Sequence, residues 1–283
     1  MPSIEENLDR WDQADWSHNQ EGEKWSTLWG GSETQWFGSL FFRLHPFLPC
    51  RRILEIAPGH GRWTQYLKSL CSDLHVVDLS PNCIEACRRR FAADSHITYH
   101  VNEGSSLAMV PGDFDLVFSF DSLVHVEIEM MEAYLSQVGK VLSRDGVGFL
   151  HHSNMAEYMK RGFAHIPRPI LEREAFNTLW RAESVDAATV ADVAARHGLA
   201  VIGQELVNWG AKGLYGASLF TDCFSLFTHE GSRWMRENRV LHNELYMSDE
   251  ASHMKRLGEI YNVSSFQRVP PGEEPRPPGR TRS

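Results

Sequence analysis

Two apolar segments in the middle of the chain end in residues that can move a proton. Asp121 and His125 follow the run FDLVFSF, and the run GVGFLHHS contains the adjacent pair His151 and His152. Histidine is the usual general base near neutral pH. Adjacent strand residues point to opposite faces, so at most one histidine of the pair is expected in a site, and His152 lies nearer the strand end. We predict His125 as the base, His152 as its partner or an acceptor-orienting group, and Asp121 as a third catalytic residue.

Asp121 has two predicted roles that the sequence leaves open. It could orient His125, which follows it by four residues, or bind a divalent cation together with His152. The cation is not favoured. The five cysteines are an odd number without a C-x-x-C pair, so free thiols are predicted and a zinc site is not.

A loop that contains two glycines precedes these residues. The stretch ILEIAPGHGRWTQYL, residues 53–67, is an apolar run that passes through this loop into an amphipathic segment. Gly59 and Gly61 let backbone amides approach a ligand closely, and the helix that follows offers unpaired N–H groups. The dinucleotide fingerprint G-x-G-x-x-G would require glycines where the chain has Ala57 and Arg62. The loop therefore predicts a cofactor site, and a dinucleotide is disfavoured.

Short apolar runs alternate with amphipathic segments from residue 52 onward, with helices expected at 63–70, from 81, and at 129–142 and 187–197. This alternation predicts β-α-β crossovers and a mostly parallel sheet covered on both faces. Two later apolar runs, joined by the glycine-rich GAKGLYGA, predict an antiparallel pair. The predicted fold class is α/β, a doubly wound sheet of seven strands with an antiparallel last strand and with N-terminal and inserted lid elements.

The chain divides into four predicted parts. Residues 1–48 form a tryptophan-rich N-terminal cap or lid, and residues 49–230 form the core with a lid insert at about 154–183. Residues 231–267 form a C-terminal extension with a helix near 249–261. Residues 268–283, RVPPGEEPRPPGRTRS, have the composition of a disordered tail.

The composition is that of an ordinary folded protein, with 42% hydrophobic and 23% charged residues. The formal net charge of −9 gives no basic surface for a phosphate backbone, so a nucleic-acid partner is not expected. No apolar stretch approaches the roughly 18 residues that span a bilayer, and the start MPSIEENLDRWDQ is not a secretory signal. We expect no membrane partner and a cytoplasmic location.

Residues 53–228 resemble the class I methyltransferases, which use S-adenosyl-L-methionine and release S-adenosyl-L-homocysteine. The loop is similar to the family motif E/D-x-G-x-G-x-G, with an alanine in the first glycine position. The resemblance implies a Rossmann-like fold and an aspartate, Asp78, that accepts hydrogen bonds from both ribose hydroxyls. It places Glu103 near the adenine amino group, with Ser105 in support and Asn102 as a competing candidate. The implied cofactor residues are Glu55, Ala57, Gly59, Gly61, Asp78, Leu79, Glu103, Gly104, Ser105 and Phe120.

The acceptor site is expected between three walls. The first is the N-terminal cap, where tryptophans flank a diglycine and could stack on a sugar ring or a flat polyketide. The second is the insert, whose polar members include Arg161, His165 and Arg168, and the third is the segment NWG at 208–210. The predicted substrate-binding residues are Trp29, Gln35, Trp36, Asn154, Tyr158 and Trp209.

The arrangement of histidines is similar to that of bacterial sugar and natural-product O-methyltransferases. It predicts methyl transfer to a hydroxyl of a small molecule, a sugar or a glycosylated natural product, by a protein that could form a homodimer. A nucleic-acid aminomethylase would carry an Asn/Asp-Pro-Pro-Tyr/Phe motif where this chain has FDSL, residues 120–123. Two alternatives stay open, a small-molecule N-methyltransferase and a non-catalytic S-adenosylmethionine-binding partner protein.

Overall fold

The computed structural model describes residues 3–16, 20–161, 177, 180–209 and 219–261. Eight strands of these residues form one sheet: β1 Cys50–Ile56, β2 Cys71–Asp78, β3 Ile97–Val101, β4 Phe114–Ser119, β5 Leu142–Ser153, β6 Leu199–Val207, β7 Asp222–His229 and β8 Val240–Asn243. Their order is β3-β2-β1-β4-β5-β7-β6-β8. β1 pairs in parallel with both β2 and β4, so the strand order reverses beside β1. The predicted doubly wound α/β fold is confirmed, and ligands of such sheets bind outside the carboxyl ends of the strands at this reversal.

The sheet differs from the predicted one at its C-terminal edge, because the described residues hold eight strands instead of seven. β7 runs antiparallel to β5 and β6, as the predicted strand pair requires. β8 then pairs in parallel with β6 and forms the edge. Sequence reasoning missed β8 because it has only four residues, and Val240 and Leu241 are exposed, so no apolar alternation marks it.

Helices cover both faces of the sheet and build the N-terminal cap. The α-helices are α1 Ile4–Asp12, α2 Ser32–Gln35, α3 Phe41–Leu44, α4 Thr64–Leu67, α5 Pro81–Arg90, α6 Ile128–Val141, α7 Ala156–Arg161, α8 Ala187–Arg196 and α9 Ser252–Tyr261. Short 3₁₀ helices span Gln20–Trp29, His45–Phe47 and Leu123–His125, and π-helical turns span Trp36–Leu40 and Tyr246–Ala251. No helix within the described ranges combines the length and the apolar character needed to cross a membrane.

The start of α5 shows how local sequence positions a site residue. Ser80 caps the helix, since its Oγ accepts a hydrogen bond from the N–H of Cys83 at 3.1 Å. Pro81 occupies the first turn, where no N–H is needed, and three arginines at 88–90 lie in the last turn near the negative end of the helix dipole. These residues fix the turn out of β2, so Asp78 is held at the strand end just before the cap.

The sheet separates two hydrophobic clusters, because successive strand residues face opposite sides. In β1, Leu54 and Ile56 belong to the cluster closed by α6 and α8, whereas Ile53 belongs to the cluster closed by α4, α5 and the cap. Trp29 and Trp36 are among the largest fully buried side chains of this second cluster. The cap is therefore part of the core on that face.

Several predicted segments lie partly or wholly outside the described residues. These are most of the lid insert at 154–183, the loop GAKGLYGA and the tail at 268–283. His165 and Arg168 lie outside as well, as does the side chain of Arg161. The C-terminal extension is described as far as residue 261, and its helix α9 packs on the Gln20–Trp29 helix and on α2.

Gly148 in β5 offers a test of this packing. It lies opposite Phe227 of β7, and a Cβ at Gly148 would overlap the buried ring of Phe227. We expect Gly148→Ala to lower the free energy of unfolding by about 1–3 kcal/mol, because a closely packed core has no room for the methyl group. Urea unfolding measures the change. Gly231→Ala is the control, since nothing lies within 4 Å of its new Cβ, and a loss of similar size in both variants would contradict the prediction.

Candidate active site

A cavity of about 890 Å³ lies at the carboxyl ends of β1, β2 and β4, where the strand order reverses. The loops after these strands form one side, and residues of the N-terminal cap form the other. The volume is within the range of small-molecule and cofactor sites. Six of the ten predicted cofactor residues line it: Ala57, Gly59, Asp78, Leu79, Gly104 and Phe120.

The first motif position is an alanine held in a conformation that favours glycine. Ala57 has φ 58°, in the left-handed region, which costs an L-residue roughly 1–2 kcal/mol. Its N–H donates to the Val77 carbonyl at 2.7 Å, and its carbonyl accepts from Ser122 Oγ at 2.8 Å. The two bonds tie the loop after β1 to β2 and to the loop after β4, so the neighbouring strands hold Ala57 in this conformation.

The two glycines of the loop allow other elements to close on it. A Cβ at Gly61, which has φ 83°, would overlap the ring of Phe91 at the end of α5. A Cβ at Gly59, which has φ 57°, would come within 2.8 Å of the Trp16 ring in the cap. Because glycine has no side chain, Phe91 of the helix end and Trp16 of the cap can pack directly against the loop.

Asp78 lies in the cavity wall at the end of β2 and accepts two backbone hydrogen bonds. Its Oδ2 accepts from Gly59 N at 3.1 Å and its Oδ1 accepts from Ser80 N at 2.9 Å. Burial raises the pKa of Asp78 to about 6, and these two bonds oppose the rise. Each carboxylate oxygen keeps a further lone pair for a ligand, as the predicted contact with two ribose hydroxyls requires.

Glu55 and Glu103 do not line the cavity. Glu55 is buried beneath the loop, where Oε2 accepts from Thr64 Oγ1 at 2.6 Å and Oε1 has no partner among the described residues. Burial raises the pKa of Glu55 to about 8. Glu103 is exposed and accepts from Ser105 Oγ, while the buried Asn102 accepts from Gly104 N through Oδ1. Glu55 and Asn102 therefore stabilise the loops after β1 and β3 through hydrogen bonds within the protein. Direct contacts of Glu103 and Ser105 with the cofactor stay predictions.

Three tryptophans of the cap, Trp11, Trp16 and Trp25, line the cavity. Trp16 stacks on His60 of the loop, with ring centroids 4.3 Å apart. Asp12 joins the cap to the start of α5, because its Oδ1 accepts from Ser80 Oγ at 2.6 Å. The cap thus covers the loop after β1 and the end of β2.

The predicted substrate-binding residues Trp29, Gln35 and Trp36 are wrong as cavity residues. Their exposed fractions are 0%, 1% and 1%, and none of them lines the cavity. They pack in the core because the segment around them is helical and faces the sheet. Tryptophans in such a segment can belong to a core or to a ligand platform. The three-dimensional fold places Trp25 in the cavity wall and Trp29 in the hydrophobic core.

His125 lies in the cavity wall at the end of the 3₁₀ turn after β4. Its Nδ1 is 2.9 Å from the carbonyl oxygen of Trp180. A carbonyl only accepts, so Nδ1 carries the proton and Nε2 of the neutral ring has the lone pair. Burial, with the charge of Arg181, lowers the pKa of His125 to about 4. The ring is therefore neutral at pH 7 and can act as a proton acceptor.

A chain of charged residues runs from the loop after β1, in the cavity wall, to the start of β7. Arg62 donates to Asp121 Oδ2 at 2.7 Å, and Nδ1 of His151 lies 3.2 Å from Asp121 Oδ1. Nε2 of His151 lies 3.0 Å from Asp222 Oδ2. Arg181 binds Asp222 in bidentate fashion, Nε to Oδ1 at 2.7 Å and Nη2 to Oδ2 at 2.8 Å. We refer to these residues as the charge network: Arg62, Asp121, His151, Asp222 and Arg181.

His151 can adopt two protonation states in this network. As a neutral ring it donates from Nε2 to Asp222 and accepts the Asp121 N–H at Nδ1, 3.1 Å away. As an imidazolium it donates to both carboxylates. Burial opposes the charged form, but the two aspartates raise the pKa of His151. Burial also opposes ionisation of Asp121, and Arg62 and His151 hold its pKa at about 2.

The choice of His152 over His151 is wrong. His152 is fully buried and does not line the cavity, because its Nε2 lies 2.8 Å from Ser225 Oγ and its Nδ1 2.8 Å from a backbone carbonyl. His151 is also fully buried and does not line the cavity, but it points to the opposite face of β5, where it contacts the wall residue Asp121. The expected pairing of Asp121 with His125 is also wrong, since the Asp121 carboxylate is held by Arg62 and His151.

Of the remaining predicted substrate residues, only Trp209 lines the cavity. Its Nε1 donates to Asp222. Asn154 is buried, donating to the Phe220 carbonyl and accepting from Ala187 N, and Tyr158 OH accepts from Phe220 N. Asn154 and Tyr158 therefore connect the insert to the core and do not face the acceptor.

Sequence reasoning missed three residues of the wall, Arg62, Arg181 and Glu127, and also the buried Asp222 that Arg181 binds. In the sequence, Arg62 is marked only by its mismatch to the dinucleotide motif. Asp222 is a lone charge inside the apolar run SLFTDCFSLF, and such a charge predicts a buried ion pair. Arg181 lies in the insert with nothing to mark it. Glu127 lines the cavity and accepts from Ser184 N at 3.1 Å, while its buried Oε1 has no partner among the described residues.

Within the described ranges, no three residues of the types His, Cys, Asp and Glu are arranged to hold a metal ion. All five cysteines lie in these ranges and are free thiols, as predicted.

Residues 53–146 match the family described as the methyltransferase domain. The chain carries a class I methyltransferase domain that uses S-adenosylmethionine. The site fits this cofactor: the Asp78 carboxylate lies in the cavity wall, where it can accept from ribose hydroxyls, and Gly59 lines the same cavity without a side chain of its own. Asp78 would hold the ribose, and the loop after β1 would lie against the cofactor.

Solved methyltransferases share this fold at low sequence identity. N-methyltransferase NodS from Bradyrhizobium japonicum, in complex with S-adenosylhomocysteine, has a TM-score of 0.50 and 19% identity, covering 80% of this chain and 98% of that one. A Listeria monocytogenes protein provisionally described as an S-adenosylmethionine-dependent methyltransferase has a TM-score of 0.51 and 13% identity, covering 67% and 97%. Identities this low establish the shared fold alone.

A curated relative matches part of the methyltransferase chain more closely in sequence. The squalestatin hexaketide synthase of Phoma sp. is 32% identical over 111 residues, which are 35% of this chain. The matched segment is only 4% of the length of the synthase. The likeness therefore concerns one segment of a much longer protein.

Asp222 is the residue on which the charge network of this methyltransferase depends most. We expect Asp222→Asn to lower the free energy of unfolding by about 3–5 kcal/mol, because it removes the buried carboxylate that Arg181 binds in bidentate fashion. Asp94→Asn is the control, since it removes a partly exposed pair with Lys68 and should cost less than about 1 kcal/mol. Urea unfolding of both variants at pH 7 measures the difference, and equal losses would contradict the expectation.

Proposed function

We propose that the protein transfers a methyl group to a hydroxyl of a small molecule, a sugar or a glycosylated natural product. S-adenosylmethionine, when bound, supplies an electrophilic methyl group on a sulfonium. The chain's own residues must orient the acceptor, exclude water and take the hydroxyl proton. The observation that carries the proposal is the neutral His125 in the cavity wall, with Nδ1 fixed on the Trp180 carbonyl and Nε2 left as the base.

A second group in the same turn supports a hydroxylated acceptor. Oε1 of Glu127 is buried without a partner among the described residues, and Glu127 lines the cavity two residues after His125. A buried acceptor oxygen of this kind is costly unless a ligand donates a hydrogen bond to it. An acceptor with more than one hydroxyl could donate to His125 and to Glu127 at once. This need for several donors supports a sugar.

The apolar part of the cavity supports the same class of acceptor. Trp11, Trp16, Trp25 and Trp180 all line the cavity, and aromatic faces pack well on flat or ring-shaped molecules. The relative from Phoma is named as a hexaketide synthase, which supports a natural product as the acceptor, although only 4% of its length is matched. The cap would shield the acceptor from water, since it covers the loop after β1.

Transfer of label tests the acceptor and the base together. Methyl-labelled S-adenosylmethionine is offered with pools of nucleotide sugars and glycosides, small amines, RNA or protein. We expect label in the carbohydrate pool and a loss of 100-fold or more in His125→Ala, in the range of general-base effects of roughly 10²–10⁴. His253→Ala, at an exposed position of α9, is the matched control and should keep the rate.

Other outcomes contradict specific parts of the proposal. Label in amines would replace the hydroxyl with a nitrogen acceptor. Undiminished transfer by His125→Ala would remove the base. Cofactor binding without transfer to any pool would favour the non-catalytic alternative.

The low pKa of His125 gives a separate prediction for the pH dependence. The base acts when it is unprotonated, so kcat/KM should fall only as the pH drops through about 4 and should be flat between pH 5 and 8. A histidine with an ordinary pKa near 6.5 would already lose about 100-fold by pH 4.5. Initial rates from pH 4.5 to 8 distinguish the two cases. A fall in kcat/KM below about pH 6.5 would contradict the lowered pKa of His125.

A further inference from the structure

We propose that Arg62 and Asp121 bind the amino-acid end of S-adenosylmethionine, Arg62 at the α-carboxylate and Asp121 at the α-ammonium. That end is a zwitterion at neutral pH, and burying it requires a paired cation and anion in the wall. Arg62 and Asp121 are such a pair, 2.7 Å apart, and both line the cavity. The inference rests on the cofactor and is independent of the proposed hydroxyl acceptor.

Arg62 is a buried cation with donors to spare. It is 7% exposed, and its guanidinium lies 4.6 Å from the ring centroid of Trp63 and 5.7 Å from that of Trp25. Nη1 donates to Ser26 Oγ at 3.2 Å and Nη2 to Asp121. A guanidinium has five N–H groups, so the contacts within the described residues leave three for a ligand. The two indoles hold the planar group in place, and a carboxylate is its natural bidentate partner.

Asp121 is held in an unusual backbone conformation beside the cavity. Its φ of 65° lies in the left-handed region, and its N–H faces Nδ1 of His151. Strain of this kind persists where the surroundings fix it, and it is concentrated at binding sites. Each carboxylate oxygen has one partner in the network, Arg62 or His151, and a second lone pair remains on each for an ammonium group.

The sheet places this pair at the correct end of the cofactor. Asp78 ends β2 and Asp121 follows β4, and β1 with its glycine loop lies between these two strands. Neighbouring strands are about 4.8 Å apart, so the two carboxylates flank the loop at roughly 10 Å. With the ribose on Asp78, the rest of the cofactor crosses the loop toward β4. The amino-acid end therefore reaches Arg62 and Asp121.

The other charged groups of the wall are less suited to this task. Arg181 uses Nε and Nη2 on Asp222 in a bidentate pair. Arg10 lies against the ring of Trp180, whose carbonyl binds His125, and so belongs to the acceptor side. Glu127 follows the same turn as His125. Among the described residues, Arg62 is the arginine of the wall that is both buried and next to the loop.

Calorimetric binding without turnover tests the assignment. The probes are S-adenosylhomocysteine, its decarboxylated analogue and 5′-methylthioadenosine, which keeps the adenosine and lacks the amino-acid end. In the wild type we expect S-adenosylhomocysteine to bind at least 30-fold tighter than either of the other two. In Arg62→Met we expect its Kd to rise at least 30-fold, with the Kd of methylthioadenosine changed less than 3-fold.

The unchanged affinity for methylthioadenosine also reports that the variant is folded. Arg89→Met, at an exposed position of α5, is the control, and it should leave the ratio of the two affinities unchanged. Arg62→Lys, which keeps the charge without the planar fork, should show an intermediate loss and provides a second variant if Arg62→Met does not fold. An equal loss for all three ligands, or no loss for S-adenosylhomocysteine, would overturn the proposal, whichever acceptor is methylated.

Discussion

Compensation of buried charge is the constraint on which the site depends. His151 and Asp222 are fully buried, and Arg62 and Arg181 are almost so, in a region where an unpaired charge would cost several kcal/mol. Each member of the charge network is held by a neighbour of opposite or complementary charge. The network joins the loop after β1 to β4, β5 and β7, four strands that lie side by side only because of the sheet order. The relative positions of these strands therefore fix the distances between the charged side chains of the network.

Burial opposes the charged form of both His125, in the cavity wall, and His151, which does not line the cavity, yet the two rings have opposite properties. His151 lies between two carboxylates, and its pKa is raised. His125 meets a carbonyl and the charge of Arg181, and its pKa falls to about 4. A neutral base and a chargeable histidine can thus coexist in one site, because their neighbours differ in sign. The charged and polar neighbours of each ring, and not the residue type, therefore decide its protonation state.

The segment that matches the family and the rest of the chain contribute different walls of the cavity. Residues 53–146 contain the glycine loop, Asp78 and His125. The tryptophans of the cap precede this segment, and Arg181 and Asp222 follow it. The shared fold supplies the cofactor half of the cavity, and the cap and the later segments supply the other walls. This division is common in enzymes whose loops carry the specificity on a conserved scaffold.

The sequence alone determined the α/β class, the cofactor loop and the position of Asp78. Those features depend on local rules: apolar alternation, glycine where φ is positive, and the Ser80 and Pro81 signals at the start of α5. The tertiary structure decided which of His151 and His152 contacts the wall residue Asp121, because the register of β5 against β4 and β7 sets that choice. It also buried Trp29 and Trp36, and it brought Arg62 to Asp121 across 59 positions of the chain. Pairings over such separations depend on how the strands are ordered in space, and no local pattern in the sequence records that order.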